Sequence, residues 1–341
     1  MTQHIEILSV VDDGLGHSSY VVGLGGDTSL VIDPARFPDQ QREIAAARGW
    51  RIAWTADTHS HADYISGSTD LAAQGAQFLA SRGANLELAH RAVDPGDLIA
   101  LADGVELRAI ATPGHTPDHL AYLLLDNDEP VALFSGGSLM VGAVGRTDLM
   151  GEEHAEELAR RLFRSLHDQI LTLPDNLTVY PTHAAGSFCS APQGAARHTT
   201  IGAERSGNPL LRVTDEDEFV ATLLRDLGSF PTYFRQLPEI NRRGPKHYAQ
   251  LPALSVLPAA DAHERVREGA ALVDVRPITA FAHAHPAGAL SNMLRPVFGS
   301  WLGWLVPLGT PLVFMCDETT DRADLVRQCL TVGHENLLGE V

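Results

Sequence analysis

The chain has 341 residues, 44% apolar and 20% charged, an ordinary globular composition with length enough for two cores. Its 25 Lys and Arg against 43 Asp and Glu leave a net charge of −18, a field that repels phosphate backbones and anionic headgroups, so neither nucleic acid nor a membrane is expected as a partner. Three scattered cysteines, Cys189, Cys316 and Cys329, fit reduced thiols, and the amino terminus lacks the basic and apolar regions of a signal peptide, so a cytoplasmic location is expected.

In chain order, residues 5–10, 19–24 and 28–33 read as strands joined by Asp-Gly and Gly-Gly-Asp turns. Pro38 to Arg48 is an amphipathic helical pattern with proline near its first turn, and it leads into the buried-strand run Arg51–Thr55. Strand, helix, strand is an α/β rhythm, and open α/β sheets place their ligands beyond the carboxyl ends of strands. There the sequence reads Thr58-His59-Ser60-His61-Ala62-Asp63-Tyr64. On an extended backbone the period of two sends His59, His61 and Asp63 to one side. Two imidazoles and a carboxylate suit Zn, Fe or Mn, although an H-x-H by itself also fits a solvated loop.

A helix from Ser66 to Ala76 and a strand at 105–110 lead to Thr112-Pro113-Gly114-His115-Thr116-Pro117-Asp118-His119, a second strand end carrying histidines. Strands at 120–125 and 130–134 open onto Ser135-Gly136-Gly137-Ser138, Glu152–Leu166 is a helix, and Leu177–Tyr180 is a strand ending at Pro181-Thr182-His183. His119 reads as a partner that orients His115. Arg146 and Asp148 fit either a structural ion pair or the flank of a substrate channel, and Tyr64 fits either packing or a donor to bound substrate. His154 and His167 belong to a helix surface. From 187 to 243 the chain is polar and mainly helical, with Asp215-Glu216-Asp217-Glu218 capping a helix at its positive end, and residues 243–247 read as a linker. Beyond it, a helix at 259–268, strands at 271–276 and 312–316, a helix at 321–332 and a strand at 335–338 form a second α/β pattern. The uncharged window Val297–Cys316 has the length of a membrane span, but Pro307, Gly309 and Pro311 divide it into core elements.

The ordered set T-H-x-H-x-D, T-P-G-H-T, F-S-G-G-S-L with V-G-R-T-D-L, and P-T-H resembles the metal motifs of the metallo-β-lactamase fold, in its glyoxalase II and persulfide dioxygenase branch. Leu272-Val273-Asp274-Val275-Arg276, His285-Pro286-Ala287-Gly288-Ala289 and a strand ending in Cys316 resemble a rhodanese domain. The resemblance implies an αββα metal-binding sandwich over 1–245, with the helical extension at 187–243, followed by a small, non-catalytic rhodanese-like α/β domain over 253–341. His59 and His115 match the iron-binding histidines of persulfide dioxygenases, while Gly137 stands where their third ligand is Asp. In the dinuclear hydrolases His59, His61 and His115 match the first metal site, and Asp63 and His183 the second; Tyr64 stands where that second site has His.

These departures imply one metal rather than two: Fe(II), or Zn(II) as the alternative. The activity implied is oxidation of a glutathione persulfide-like thiol persulfide to sulfite. One alternative is a zinc thioester hydrolase of glyoxalase II type, and another is a non-catalytic protein that binds sulfur compounds. Candidate catalytic residues are Asp63, Tyr64 and Cys316, with Arg146 and Tyr64 toward the substrate. The expected partner is a small thiol persulfide or thioester, and a homodimer is compatible with the chain. Carboxylates around Cys316 disfavour its thiolate, whereas Arg322 in the same loop favours it.

Overall fold

The computed structural model describes residues 5–183, 187 and 196–341. Cys189 lies outside them.

Strands β1 (Ile5–Asp12), β2 (His17–Leu24), β3 (Thr28–Ile32), β4 (Arg51–Ala56), β5 (Gln77–Ser81) and β6 (Arg91–Val93) form one sheet in sequential order, antiparallel to β3 and parallel after it. The parallel crossovers carry helices α1 (Asp39–Ala47) and α2 (Ser68–Ala72). The helix expected to run to Ala76 stops at Ala72, since Gly75 has φ of +101° and turns the chain into β5. A second sheet runs in the order β14, β13, β10, β9, β8, β7. It is built from β7 (Leu98–Ala102), β8 (Val105–Ala111), β9 (Leu120–Asp126), β10 (Glu129–Gly136), β13 (Thr178–Pro181) and β14 (Thr199–Thr200). A ribbon of β11 (Leu139–Met140) and β12 (Ala143–Val144) follows β10, and helices α3 (Glu152–Arg164), α4 (Ile201–Gly207), α5 (Glu216–Arg225) and α6 (Leu237–Arg243) complete this unit.

Alternation along the strands decides the layers. Tyr20, Val22 and Leu24 face the second sheet and pack with Leu107, Tyr122 and Phe134, whereas Val21 and Val31 face α1 and α2 with Ala45 and Leu71. On the far side, Leu123, Leu125 and Leu133 meet Leu158-flanking Ala159 and Leu162 of α3 and Phe219 of α5. The result is a helix, sheet, sheet, helix sandwich. Within the expected acidic run 215–218, Asp215 caps α5, accepting the Glu218 N–H at 2.9 Å.

The C-terminal unit holds four parallel strands in the order β16, β15, β17, β18: β15 (Ala271–Asp274), β16 (Leu290–Ser291), β17 (Leu312–Met315) and β18 (Leu337–Glu340). Helices α7 (Ala259–Arg267), α8 (Ile278–His283), α9 (Phe298–Leu305) and α10 (Arg322–Thr331) cover it. The uncharged window of the sequence forms α9 and β17, and no described helix is long and apolar enough to cross a membrane.

The two units share a core. Val332 and Leu308 pack with Leu15, Tyr64, Ile65, Tyr233 and Leu237. Ile65 donates to the Thr331 carbonyl at 2.8 Å, and buried Arg36 donates to the Leu330 carbonyl and pairs with Glu335, both at 2.8 Å. Residues 243–247 are tied down as well, because Arg36 also donates to the Lys246 carbonyl and His247 sits 3.1 Å from Asp70.

Candidate metal centre

Every histidine in the centre leaves a strand of the sandwich. His59 and His61 follow β4, His115 and His119 lie between β8 and β9, and His183 follows β13. The loop after β4 bends instead of staying extended, so the expected one-sided array of His59, His61 and Asp63 does not form by pleating. Two polar anchors shape it. Asp33, at the end of β3, accepts from the Thr58 N–H and hydroxyl at 2.7 Å each, from His61 Nε2 at 3.2 Å, and from the Thr182 hydroxyl. Asn241 of α6 donates to the carbonyls of His61 (2.9 Å) and Tyr64 (3.0 Å). Asp33 thus fastens the first and last histidine loops to one carboxylate.

Burial pushes the Asp33 carboxyl up, but His61, Thr182 and Thr58 outweigh it and hold it down to about 2. His61 shows the complementary response. Burial opposes its charge, yet Asp33, Asp57 and Asp63 raise it above the ordinary imidazole value. Burial also raises Asp63, and His183, His61 and His17 more than offset it, leaving about 2. Neither Asp63 oxygen has a hydrogen-bond partner among the described residues, so a buried anion stands against the imidazoles with no donor but His183 nearby. His59, surrounded by four histidines, falls well below its ordinary value, chiefly through burial. Asp57 behind the loop is pushed up to about 6 by burial, although Ser66 and Ser68 each donate to it at 2.6 Å.

Among the described residues, three donor groups lie within 4.8 Å: His59, His115 and His183; Asp33, His59 and His61; and His61, Asp63 and His183. His61 and His115 share none of them. The expected trio of His59, His61 and His115 is therefore not brought together, and His183 meets His59 and His115 in its place. Buried imidazole nitrogens and a carboxylate are a donor set for a divalent transition ion, so the residues present fit a metal.

His119 does not orient His115. Its Nε2 accepts the Gly137 N–H at 3.0 Å, its Nδ1 meets Thr112 at 2.7 Å, and its ring stacks on His59 at 4.9 Å. His115 is oriented by the Arg146 carbonyl, 2.8 Å from Nδ1. The Arg146 side chain is 1% exposed and committed to Asp148 (2.7 and 2.8 Å) and the Gly228 carbonyl (2.6 Å), with Phe230 over its guanidinium. It forms the ion pair with Asp148. Tyr64 is fully buried and packed, with its hydroxyl 3.1 Å from His61 Nε2 and its ring 4.3 Å from His17. His154 is exposed, and His167 lies against the Phe163 ring at 4.2 Å.

Glycines close the floor. A Cβ on Gly137 would lie 2.2 Å from His115 Cδ2, and one on Gly145 would lie 2.8 Å from His115 Nδ1. The ring occupies the room that a side chain at 137 would need. Asp33, Asn241 and the Arg146 carbonyl were missed in the sequence because their partners lie far along the chain; Asp33-Pro34 at a strand end was the one local signal.

In the C-terminal unit, Cys316 is half-buried after β17. Burial and a hydrogen bond to Glu340 push its thiol up to about 12. Arg322 pairs with Glu340 at 3.0 Å and donates to the carbonyls of Asp317 and Thr320.

A metallo-beta-lactamase superfamily profile matches residues 12–76. Over 238 residues the chain is 31% identical to a hydroxyacylglutathione hydrolase of Polaromonas sp., covering 66% of this chain and 83% of that protein. It is 33% identical over 197 residues to the human mitochondrial persulfide dioxygenase ETHE1, covering 56% and 69%. A metallo-beta-lactamase from Staphylococcus aureus subsp. aureus COL superposes with a TM-score of 0.87 at 26% identity over 99% of each chain. ETHE1 from Myxococcus xanthus superposes at 0.60 and 27% identity, over 70% of this chain and 98% of its own. The first of these structures spans the four-stranded unit too. Sequence likeness through most of the Polaromonas enzyme and structural likeness around the same sandwich lead to one assignment: the chain belongs to the metallo-beta-lactamase superfamily.

Proposed function

We propose that this chain is a mononuclear metalloenzyme of sulfur metabolism that oxidises a low-molecular-weight thiol persulfide, of the glutathione persulfide kind, to sulfite, with Fe(II) held by His59 and His115. The observation that carries this reading is the single imidazole cluster beside a depleted second position. Where dinuclear hydrolases place a second-site histidine, Tyr64 is buried and turned to His61; where they place a bridging carboxylate, Gly137 carries the His115 ring. Likeness to the human and Myxococcus persulfide dioxygenases supports the chemistry. Bound there, ferrous iron supplies redox chemistry and coordination positions for dioxygen and a thiolate.

The chain's own contribution is position and charge. A cavity of about 630 Å³ reaches Ser60, between His59 and His61, and Asp118, which holds the Ser60 N–H and hydroxyl at 2.9 Å each. Arg235 lines the same cavity and suits a carboxylate of a glutathione-like substrate, whereas Arg242 on its wall is paired with Glu239 and Glu87. We assign the C-terminal unit as rhodanese-like and non-catalytic, since the Cys316 thiol is held neutral by burial and Glu340. The enzyme is proposed to act in the cytoplasm.

The test is oxygen uptake by iron-loaded protein with glutathione persulfide; sulfite production is expected, and no uptake rejects the reading. A second reading, a zinc thioester hydrolase, is favoured by the longer match to the Polaromonas hydrolase. Zinc-loaded protein that cleaves an S-acylglutathione without oxygen uptake would select it. Binding of persulfide with neither turnover would select a non-catalytic protein, the reading that Gly137 favours.

A further inference from the structure

Hydrogen bonds fix which nitrogen of each imidazole carries a lone pair. His115 Nδ1 lies 2.8 Å from the Arg146 carbonyl oxygen, which only accepts, so Nδ1 carries a proton and Nε2 is the nitrogen available to a metal. Thr58 donates its hydroxyl to Asp33 at 2.7 Å and so accepts from His59 Nδ1 at 2.8 Å, which leaves His59 Nε2 bare as well. His119 has both nitrogens engaged, one by the Gly137 N–H and one by Thr112.

His183 stands between two acceptors. Its Nε2 is 3.3 Å from the bare His59 Nε2, and its Nδ1 is 3.3 Å from Asp63 Oδ2. A neutral imidazole carries one proton and can satisfy one side. The other side is met by a second proton on the ring or by a metal cation in its place. If His183 gives its proton to Asp63, the nitrogen left bare is the one that faces His59, and the donor atoms of His59, His115 and His183 lie within 4.8 Å of one another. Two nitrogens on one tetrahedral ion, with bonds of about 2.0–2.1 Å, stand roughly 3.3–3.4 Å apart. His59 and His183 already have that spacing.

Resting on the one-metal reading above, we infer that His183 is the third protein ligand, taking the role that Gly137 has removed from position 137, and that Asp63 is a positioning residue that fixes the His183 tautomer. A carboxylate behind a ligating histidine orients the ring and raises its basicity. His61 stays outside this set, with Nε2 facing Asp33 and the Tyr64 hydroxyl and no donor group shared with His115. The three imidazoles are neutral, so the ion keeps its full charge for an anionic fourth ligand, which suits a persulfide or thiolate.

The competing set of His61, Asp63 and His183 makes opposite demands. Metal-free protein titrated with Co(II), followed by metal analysis and visible absorption, separates the two. Wild type is expected to take one ion. His115→Ala and His183→Ala should each weaken binding by at least about 100-fold, because each removes a metal bond. Asp63→Asn should weaken it about 10–100-fold. His61→Ala should stay within a factor of about three, as it leaves all three metal bonds in place. Added imidazole should recover Co(II) binding in His183→Gly, which a merely structural histidine would not allow, and thermal melts of the metal-free variants identify any that fail to fold. Retention of the ion in His115→Ala, with its loss in His61→Ala, overturns the inference but leaves a one-metal enzyme standing. The expected affinity pattern without oxygen uptake rejects the reaction alone. Wild type that takes no ion rejects both.

Discussion

Two regions of this chain carry its chemically reactive side chains, and they treat charge in opposite ways. In the sandwich, the imidazole cluster lies among the carboxylates of Asp33, Asp57 and Asp63, all buried, and two of them are held ionised near 2. Negative charge kept away from water is tolerable only beside something positive. That cluster has the donors and the negative charge that suit a cation. In the C-terminal unit, the Cys316 thiol faces Glu340 and is pushed up to about 12, Cys329 is raised by burial, and His334 is lowered to about 4 by burial. These two thiols and the imidazole are kept neutral, while the carboxylates beside them, Asp274 and Glu340, are paired with Arg276 and Arg322. The same motif position, a polar residue after a buried parallel strand, therefore does not by itself make a reactive site; the charges that tertiary packing brings to it decide.

Substitutions can break this contrast. The largest effect is expected from Asp33→Ala, which removes the acceptor shared by Thr58, Thr182 and His61. Loss of a buried charged partner costs about 3–5 kcal/mol, to be read as a lower denaturant midpoint together with lost metal content.

The neutral side of the comparison is broken by acid. His334 is 1% exposed, with both ring nitrogens lacking partners among the described residues, and its folded value of about 4 lies below the unfolded 6.5. The unfolded chain therefore binds the proton first as pH falls. The His334 contribution is complete above about 6.5, and about 3 kcal/mol of it is lost on descending to pH 4. Comparing denaturant midpoints of wild type and His334→Phe across that window checks it, and parallel curves would reject the assignment. Because Gly333 packs on Leu237 and Glu335 pairs with Arg36, the loss should loosen the contact between the units first.

A smaller effect is expected from refilling position 137. Gly137→Asp restores a carboxylate in sequence, but its Cβ would meet His115 Cδ2 at 2.2 Å. Overpacking should destabilise the fold by about 1–3 kcal/mol and weaken metal binding. Tighter binding in this variant would show that the His115 ring moves aside readily.

The mildest change is at the thiol. Cys316 should react with a maleimide at pH 8 roughly a thousandfold more slowly than a free cysteine, and Glu340→Gln should speed it about tenfold. Labelling as fast as that of a free thiol would return Cys316 to the list of catalytic residues.

Much of this arrangement was legible along the chain. Strand positions followed from runs bounded by turn residues, as in 19–24 between Asp-Gly and Gly-Gly-Asp, and the histidine motifs sit at strand ends as the α/β rhythm requires; which face Tyr20, Val22 and Leu24 take against Val21 was set by packing, because β2 is buried on both sides. Cys316 among acidic residues already pointed to a poor thiolate, though the residue that holds it, Glu340, comes from β18 and not from its own loop. The bend of residues 58–64 was not legible, because it is imposed by Asp33 and Asn241, one upstream and one about 180 residues downstream of His61.

Residue types and their order determined the α/β alternation and the presence of a nitrogen-rich centre, since each depends on local patterning and on which donors the chain contains; the sandwich was implied by the resemblance of the ordered motifs. Only the tertiary structure decided that His183, and not His61, stands with His59 and His115, and that the space at Gly137 belongs to a ring. A histidine's ligand role depends on which nitrogen is left bare, and that is set by hydrogen bonds from partners distant in sequence.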